Sequence, residues 1–145
     1  MEPLRILKVT MQRRYSVLYY VAAGATAVAG ILHLILAPNM FTFNPNTGIL
    51  FSIGGAAQVF WALPMARKWG KKWYAIGIGG TAALMLIWII TRFPGNPITG
   101  RGGGANEMAI AVEAMQALFI GVAVAILVIE SRMRRIDAKV AQDSK

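Results

Sequence analysis

Ionisable and amide side chains are rare inside the apolar stretches of this 145-residue sequence, so those that occur there are the first candidates for chemistry. His33 is the only histidine, and it interrupts the apolar run AVAGILHLILAPNMF. Gln58, Glu113 and Gln116 interrupt two later apolar runs. An imidazole, a carboxylate and amides can carry a proton, bind a small ligand or join helices by hydrogen bonds. The residue types alone leave these three roles open.

Several classes of site are excluded by residue types that are missing or too few. The sequence contains no cysteine, which rules out disulfides, Cys-ligated zinc, iron–sulfur clusters and thiol catalysis. A single histidine rules out bis-His haem and multi-His copper sites within this chain. One imidazole and one or two carboxylates would hold a metal ion only with ligands from another chain. We therefore predict no catalytic, cofactor or metal site, and we do not expect the chain to be an enzyme on its own.

The composition is typical of a membrane protein, because 57% of residues are hydrophobic and 14% are charged. Four apolar stretches have about twenty residues each, which is the length that crosses a hydrocarbon core of about 30 Å as a helix. We predict an all-α, polytopic membrane protein with one domain, residues 1–145, built as a bundle of four transmembrane helices. The predicted helices cover residues 17–37, 48–66, 73–91 and 108–129, and PNMFTFNPNTG, RKWGKK and RFPGNPITGRGGG form the predicted loops.

The distribution of basic residues predicts the orientation in the membrane. Thirteen of the fifteen Lys and Arg residues lie in the two ends and the second loop, whereas Arg92 and Arg101 lie in the third loop. By the positive-inside rule, the N- and C-termini are expected to be cytoplasmic in a multi-pass protein of the cell membrane. Because the positive charges flank apolar runs, we expect them to contact lipid head groups and expect no nucleic-acid partner.

The two basic ends, residues 1–16 and 130–145, have amphipathic patterns. Apolar residues recur at helical spacing in both ends, namely Leu4, Leu7, Met11, Met133, Ile136 and Val140. These ends are interpreted either as segments that dock on lipid or a partner, or as solvated extensions of the first and last helices.

Each predicted span also carries small residues four positions apart, which lie along one ridge of a helix. The four ridges are Ala25–Ala29–His33–Ala37, Gly54–Gln58–Ala62–Ala66, Ala75–Gly79–Ala83 and Ala109–Glu113–Ala117–Gly121–Ala125. We expect these ridges, and the three polar residues on them, to face the interior. By helical rise, His33 and Glu113 lie at similar depth, roughly 6 and 8 Å below the outer ends of their helices. A polar clamp of His33, Gln58, Glu113 and Gln116 is the favoured hypothesis, with a proton, ligand or metal site as alternatives.

The third loop, FPGNPITGRGGGANE, is rich in glycine but lacks the GK[ST] ending of a phosphate-binding loop. We interpret it as a flexible loop that a neighbouring chain orders. Arg92, Arg101 and Glu107 are its candidate contacts with that partner.

Three stretches, ILHLILAPNMF, GILFSIGGAAQVFWALPM and WIITRFPGNP, precede a fourth helix that bears a glutamate. Together they resemble the small four-helix accessory subunits of the archaeal ammonia monooxygenase, a copper membrane monooxygenase. The resemblance implies a helical subunit at the periphery of a larger trimeric complex that takes part in ammonia oxidation. It also implies that the copper ligands lie on other subunits, so no ligand position transfers to this sequence.

Three functions remain open from the sequence. The first is a non-catalytic accessory subunit that stabilises or positions the catalytic subunits of a hetero-oligomeric membrane complex. The alternative is a small proton-coupled transporter or ligand-binding membrane protein that uses Glu113 and His33. A third is an oxidoreductase module that binds a quinone near His33, Gln58 and Trp61.

Overall fold

The structure is a computed structural model that describes the backbone of residues 2–143 and the side chains of Val9 and residues 15–142. The described chain is helical and contains no strand. Its helices are α1 (Glu2–Phe43), α2 (Pro45–Ala66), α3 (Lys71–Ile90) and α4 (Glu107–Asp143). Each contains a stretch long and apolar enough to cross a membrane, which confirms the four predicted membrane helices.

The boundary between the first two helices differs from the prediction. Residues 38–43, predicted as a loop, continue α1 through Pro38 to Phe43. The break comes instead at Asn44, which precedes Pro45 and takes an extended conformation, with φ −160° and ψ 119°. A proline disfavours the helical conformation of the residue before it, and its own fixed φ suits the first turn of a helix. The Asn44 side chain then caps α2 by accepting a hydrogen bond from the Asn46 backbone N–H at 2.9 Å.

The other helices are also longer than their predicted spans. Helix α4 continues without a break through the C-terminal basic end, where Ile136 and Val140 are exposed. The side chains of Leu4, Leu7 and Met11, on which the N-terminal amphipathic pattern rests, lie outside the described residues. A tight turn joins α2 to α3, and Gly70 closes it with φ 108°, a conformation that favours glycine.

Helix α1 is the central packing element, because it makes the most extensive contacts in the structure, with α2 and with α4. Its crossing with α2 is very close at Gly30 and Gly55. A Cβ atom on Gly30 would lie 2.6 Å from the Gly55 carbonyl oxygen and 2.8 Å from the Val59 nitrogen. Near this crossing, the Thr26 hydroxyl donates a hydrogen bond of 3.1 Å to the Gln58 carbonyl. Small residues at such crossings let two membrane helices pack backbone to backbone.

Helix α3 packs through different residues from those predicted. Its buried positions are Tyr74, Gly77 and Thr81. At Gly77, the space that a side chain would fill is taken by the Trp61 indole, with Phe119 of α4 beside it. Larger buried side chains from all four helices complete this part of the core, including Tyr19, Met65, Phe119 and Ile126.

The predicted small-residue ridges face the interior in only two of the four helices. Along α1, the four ridge residues are buried, and along α2 they are buried or half-buried. The prediction is wrong for α3, where Ala75, Gly79 and Ala83 are exposed, and for α4, where Ala117 and Gly121 are exposed. The reason is that α4 packs through a different face, which carries the larger side chains of Val112, Gln116, Phe119 and Ile126 together with Ala123. Small residues therefore mark the close α1–α2 contact but not the looser contacts of α3 and α4.

The Gly30–Gly55 crossing predicts a strong sensitivity to one added methyl group. Gly30→Ala should lower the free energy of unfolding by about 1–3 kcal/mol, because the new Cβ meets backbone atoms that cannot move aside. Gly24→Ala is the matched control, since a Cβ there meets no atom within 4 Å. Titration of the protein with SDS, followed by tryptophan fluorescence, measures both. Equal stability of the two variants would contradict the close crossing.

Candidate ligand-binding site

A cavity of about 660 Å³ lies at the end of the helices opposite the chain termini. It is enclosed by residues of all four helices and of the segment between α3 and α4, and we call it the distal cavity. Four ionisable side chains lie on its wall: His33, Arg92, Arg101 and Glu113. Its volume falls within the range of about 300–1,000 Å³ that is usual for small-molecule sites.

His33 is nearly buried, and its position depends on the α1–α2 crossing. A Cβ on Gly55 would lie 2.9 Å from the His33 Cβ, so the two residues are in close contact. The imidazole Nδ1 lies 3.0 Å from the Ala29 carbonyl oxygen, and the ring packs on Phe51 with centroids 4.9 Å apart. Because a carbonyl oxygen only accepts, Nδ1 carries the proton and donates it. In the neutral imidazole, Nε2 then remains as a hydrogen-bond acceptor.

Glu113 is half-buried on the cavity wall and makes no hydrogen bond or ion pair within the described residues. Arg92 is near enough to act on its charge but forms no ion pair with it. Removing a carboxylate from water without a partner costs several kcal/mol. Glu113 is therefore a group that a bound cation or hydrogen-bond donor would stabilise.

Arg92 organises the segment that covers the distal cavity. Its guanidinium lies over the Trp88 ring, 4.9 Å from the centroid, and donates to the Thr91 hydroxyl at 3.1 Å and to the Gly104 carbonyl. These contacts hold residues 91–104 across the end of α3. Arg101 also lines the cavity but is exposed, and its guanidinium makes no hydrogen bond within the described part of the chain.

Asn96 gives the same segment internal order. Its side-chain oxygen accepts from the backbone N–H groups of Ile98 and Thr99, and its amide nitrogen donates to the carbonyls of Phe93 and Arg101. The loop between α3 and α4 is thus ordered by side chains of its own chain. Glu107, grouped with the loop arginines in the sequence analysis, is exposed at the start of α4 and does not line the cavity.

The structure buries both predicted glutamines and places Gln58 next to another predicted polar residue. Gln58 and Gln116 are buried, with 4% and 0% of their surface exposed. The Gln58 side chain lies beside His33. All four amide atoms of Gln58 and Gln116 lack a hydrogen-bond partner among the described residues. Gln58 interacts with the His33 imidazole, whereas no hydrogen bond within the described residues joins either of them to Glu113 or Gln116. No group of three metal-ligating side chains is found in that range.

A second polar cluster, at the end that carries the chain termini, was missed by the sequence analysis. The buried Tyr19 hydroxyl donates a hydrogen bond of 2.5 Å to Glu130 Oε1, and the Tyr15 hydroxyl lies 2.9 Å from that of Tyr19. The Lys68 ammonium lies over the Tyr19 ring and donates to the Ser16 hydroxyl. This cluster ties α1 to α4 and to the α2–α3 turn.

A signal for this cluster was present in the spacing of α4. Gln116, Ala123 and Glu130 are seven residues apart, which places them on one face of a helix. In the structure the first two are fully buried, and Glu130 is partly buried on the same face. A search for residues seven positions apart would have predicted this face as the inward one, instead of the face that carries Ala117 and Gly121.

Comparison with known proteins gives a family but no function. Residues 7–127 match the model of a family described as a family of unknown function, DUF7475. No curated protein and no solved structure matches the chain. Because the matched residues span most of the sequence, the protein belongs to the DUF7475 family.

Proposed function

We propose that the protein is a membrane-embedded binding protein for a small polar molecule, which occupies the distal cavity. The observation that carries this proposal is the meeting of opposite charges on one cavity wall. Glu113 comes from α4, whereas Arg92 and Arg101 come from the segment between α3 and α4. A pocket of this size with a few converging polar groups is the usual form of a small-molecule site.

The residues on the wall indicate a zwitterionic ligand. The unpaired Glu113 carboxylate would hold a positively charged group, with His33 Nε2 as an additional acceptor. Arg101, whose guanidinium is not engaged within the described residues, would hold a negatively charged group. Arg92 is already bonded to its own segment, so we assign it a supporting role. In the absence of ligand, the Glu113 carboxylate can bind a proton instead. Proton-coupled transport requires this alternation of proton and ligand on one carboxylate.

Glycine betaine, which carries one positive and one negative group, is a probe for this site. In lipid nanodiscs, calorimetric titration should show saturable binding, and Glu113→Gln and Arg101→Gln should each weaken it about tenfold or more. The matched controls are Glu107→Gln and Arg135→Gln, which make the same charge changes at exposed positions that do not line the cavity. Choline lacks the carboxylate, so Arg101→Gln should leave its binding unchanged. Betaine binding that survives Glu113→Gln would contradict the proposal.

The proposal includes an orientation, in which both termini are cytoplasmic and the distal cavity opens on the outer side of the cell membrane. The support is the positive-inside rule, since the distal end has two of the fifteen basic residues, Arg92 and Arg101.

Single cysteines test this orientation directly, because the natural sequence contains none. Gly104→Cys places a thiol at an exposed site at the distal end, where a Cβ meets no atom within 4 Å. Ala138→Cys places one at an exposed site on the C-terminal part of α4. A membrane-impermeant maleimide added to intact cells should label Gly104→Cys only, and Ala138→Cys should react after permeabilisation. The reverse pattern would overturn the orientation.

A second candidate function is the accessory subunit of a membrane enzyme complex, of the ammonia monooxygenase type that the sequence resembles. A specific observation supports it: the small-residue ridge Ala75–Gly79–Ala83 of α3 is exposed. A Cβ on Gly79, or on Gly121 of α4, would meet no atom of this chain within 4 Å. Ridges of this kind are the contact surfaces that transmembrane helices use with one another.

Native mass measurement after gentle detergent extraction tests the second candidate. The protein should migrate with larger, different membrane subunits, and Gly79→Leu should release it by blocking the exposed ridge of α3. Gly24→Leu, at an exposed glycine of α1 with equal free space, is the matched control. A protein that is extracted alone from its native membrane would contradict this function.

A further inference from the structure

A second cavity, of about 220 Å³, lies between α2 and α3, where these two helices separate. We call it the α2–α3 groove. Its walls are mostly apolar, with Leu50, Gly54 and Trp61 on α2 and Gly80 and Leu84 on α3. Ile53 and Ile76 also line it and are 65% and 57% exposed, so the groove opens on the apolar outer surface of the two helices. In a membrane, this opening faces lipid.

The Gln58 side chain gives the groove unused hydrogen-bonding capacity. Gln58 lines it, and neither atom of its side-chain amide has a partner within the described residues. The Thr81 hydroxyl lies on the opposite helix and is also buried. A buried amide without a hydrogen bond costs roughly 1–3 kcal/mol, and hydrocarbon supplies no water to relieve it. A ligand with an oxygen acceptor would satisfy the amide nitrogen and so remove part of this cost.

We propose that the α2–α3 groove binds the ring of a lipid-soluble carbonyl compound of the quinone class, with the Gln58 amide donating a hydrogen bond to a carbonyl oxygen. The volume lies below the range of drug-sized pockets and therefore fits a ring-sized group. Gly80 on α3 leaves open space where a side chain would otherwise lie, which gives a planar ring room to enter. This site is separate from the distal cavity and does not depend on the zwitterion proposal.

Trp61 supplies the ring face of the groove rather than a hydrogen bond to the ligand. Its indole Nε1 already donates to the Trp73 carbonyl at 2.8 Å, which fixes the plane of the ring. The indole also fills the space above Gly77 and so forms the floor of the groove. Aromatic rings pack favourably against one another in offset or edge-on arrangements, which a planar ligand can adopt here.

Menadione, a naphthoquinone without an isoprenoid tail, is the probe for the purified full-length protein in nanodiscs. The chain has no cysteine, so the thiol reaction of menadione does not interfere. Saturable quenching of tryptophan fluorescence is expected, and Gln58→Leu should weaken the affinity about five- to tenfold. Gln116→Leu is the control, because that amide is equally unpaired but does not line the groove.

Two adjacent glycines give a second test that leaves the Gln58 side chain intact. A Cβ on Gly79 or on Gly80 meets no atom within 4 Å, so a side chain at either position begins in open space, but only Gly80 lines the groove. Gly80→Leu should abolish menadione quenching, and Gly79→Leu should not change it. Equal effects of these two substitutions, or unchanged affinity in Gln58→Leu, would overturn the proposal. So would equally tight binding of methylnaphthalene, which has the ring system but no carbonyl.

Discussion

The close crossing of α1 and α2 at Gly30 and Gly55 is the contact on which the positions of the polar side chains depend. With no side chain between them, the two backbones approach closely enough for the Thr26 hydroxyl to reach the Gln58 carbonyl. Gly55 also abuts His33, so the crossing sets where the imidazole enters the distal cavity. In a membrane, the hydrophobic effect does not drive helices together, because lipid tails are as apolar as the helix surface. Close packing of this kind stabilises the helix pair instead.

Helix α2 packs tightly on α1 and only loosely on α3. This difference leaves space beside α3, where both cavities have part of their walls. Helix α3 meets α2 through fewer residues than α1 does, and its small residues face outward. The distal cavity and the α2–α3 groove adjoin each other. Leu50 and Leu84 line both cavities, so two apolar side chains lie between a charged site and a site open to lipid.

The sequence predicted those parts of the fold that a local pattern determines. Hydropathy located the four helices, and the small-residue ridges of α1 and α2 placed His33 and Gln58 in the interior. The same rule was wrong for α3 and α4, because their inward faces carry large side chains such as Tyr74 and Phe119. The Tyr19–Glu130 bond joins residues 111 positions apart and depends on how α1 and α4 are placed side by side. The seven-residue spacing of α4 can place Glu130 on the inward face, but it cannot identify Tyr19 as its partner.

The unpaired amides bear on whether the interior is a scaffold or a set of binding sites. A structural clamp requires hydrogen bonds between its members, yet the side-chain amides of Gln58 and Gln116 form none of good geometry with described residues. In an apolar interior, leucine at either position would avoid the cost of an unsatisfied amide. Residues that lower stability in this way are expected at functional sites, where a ligand completes the missing bonds. Gln58 meets that description most closely, because its amide lies on the wall of a groove that a ligand can enter from lipid.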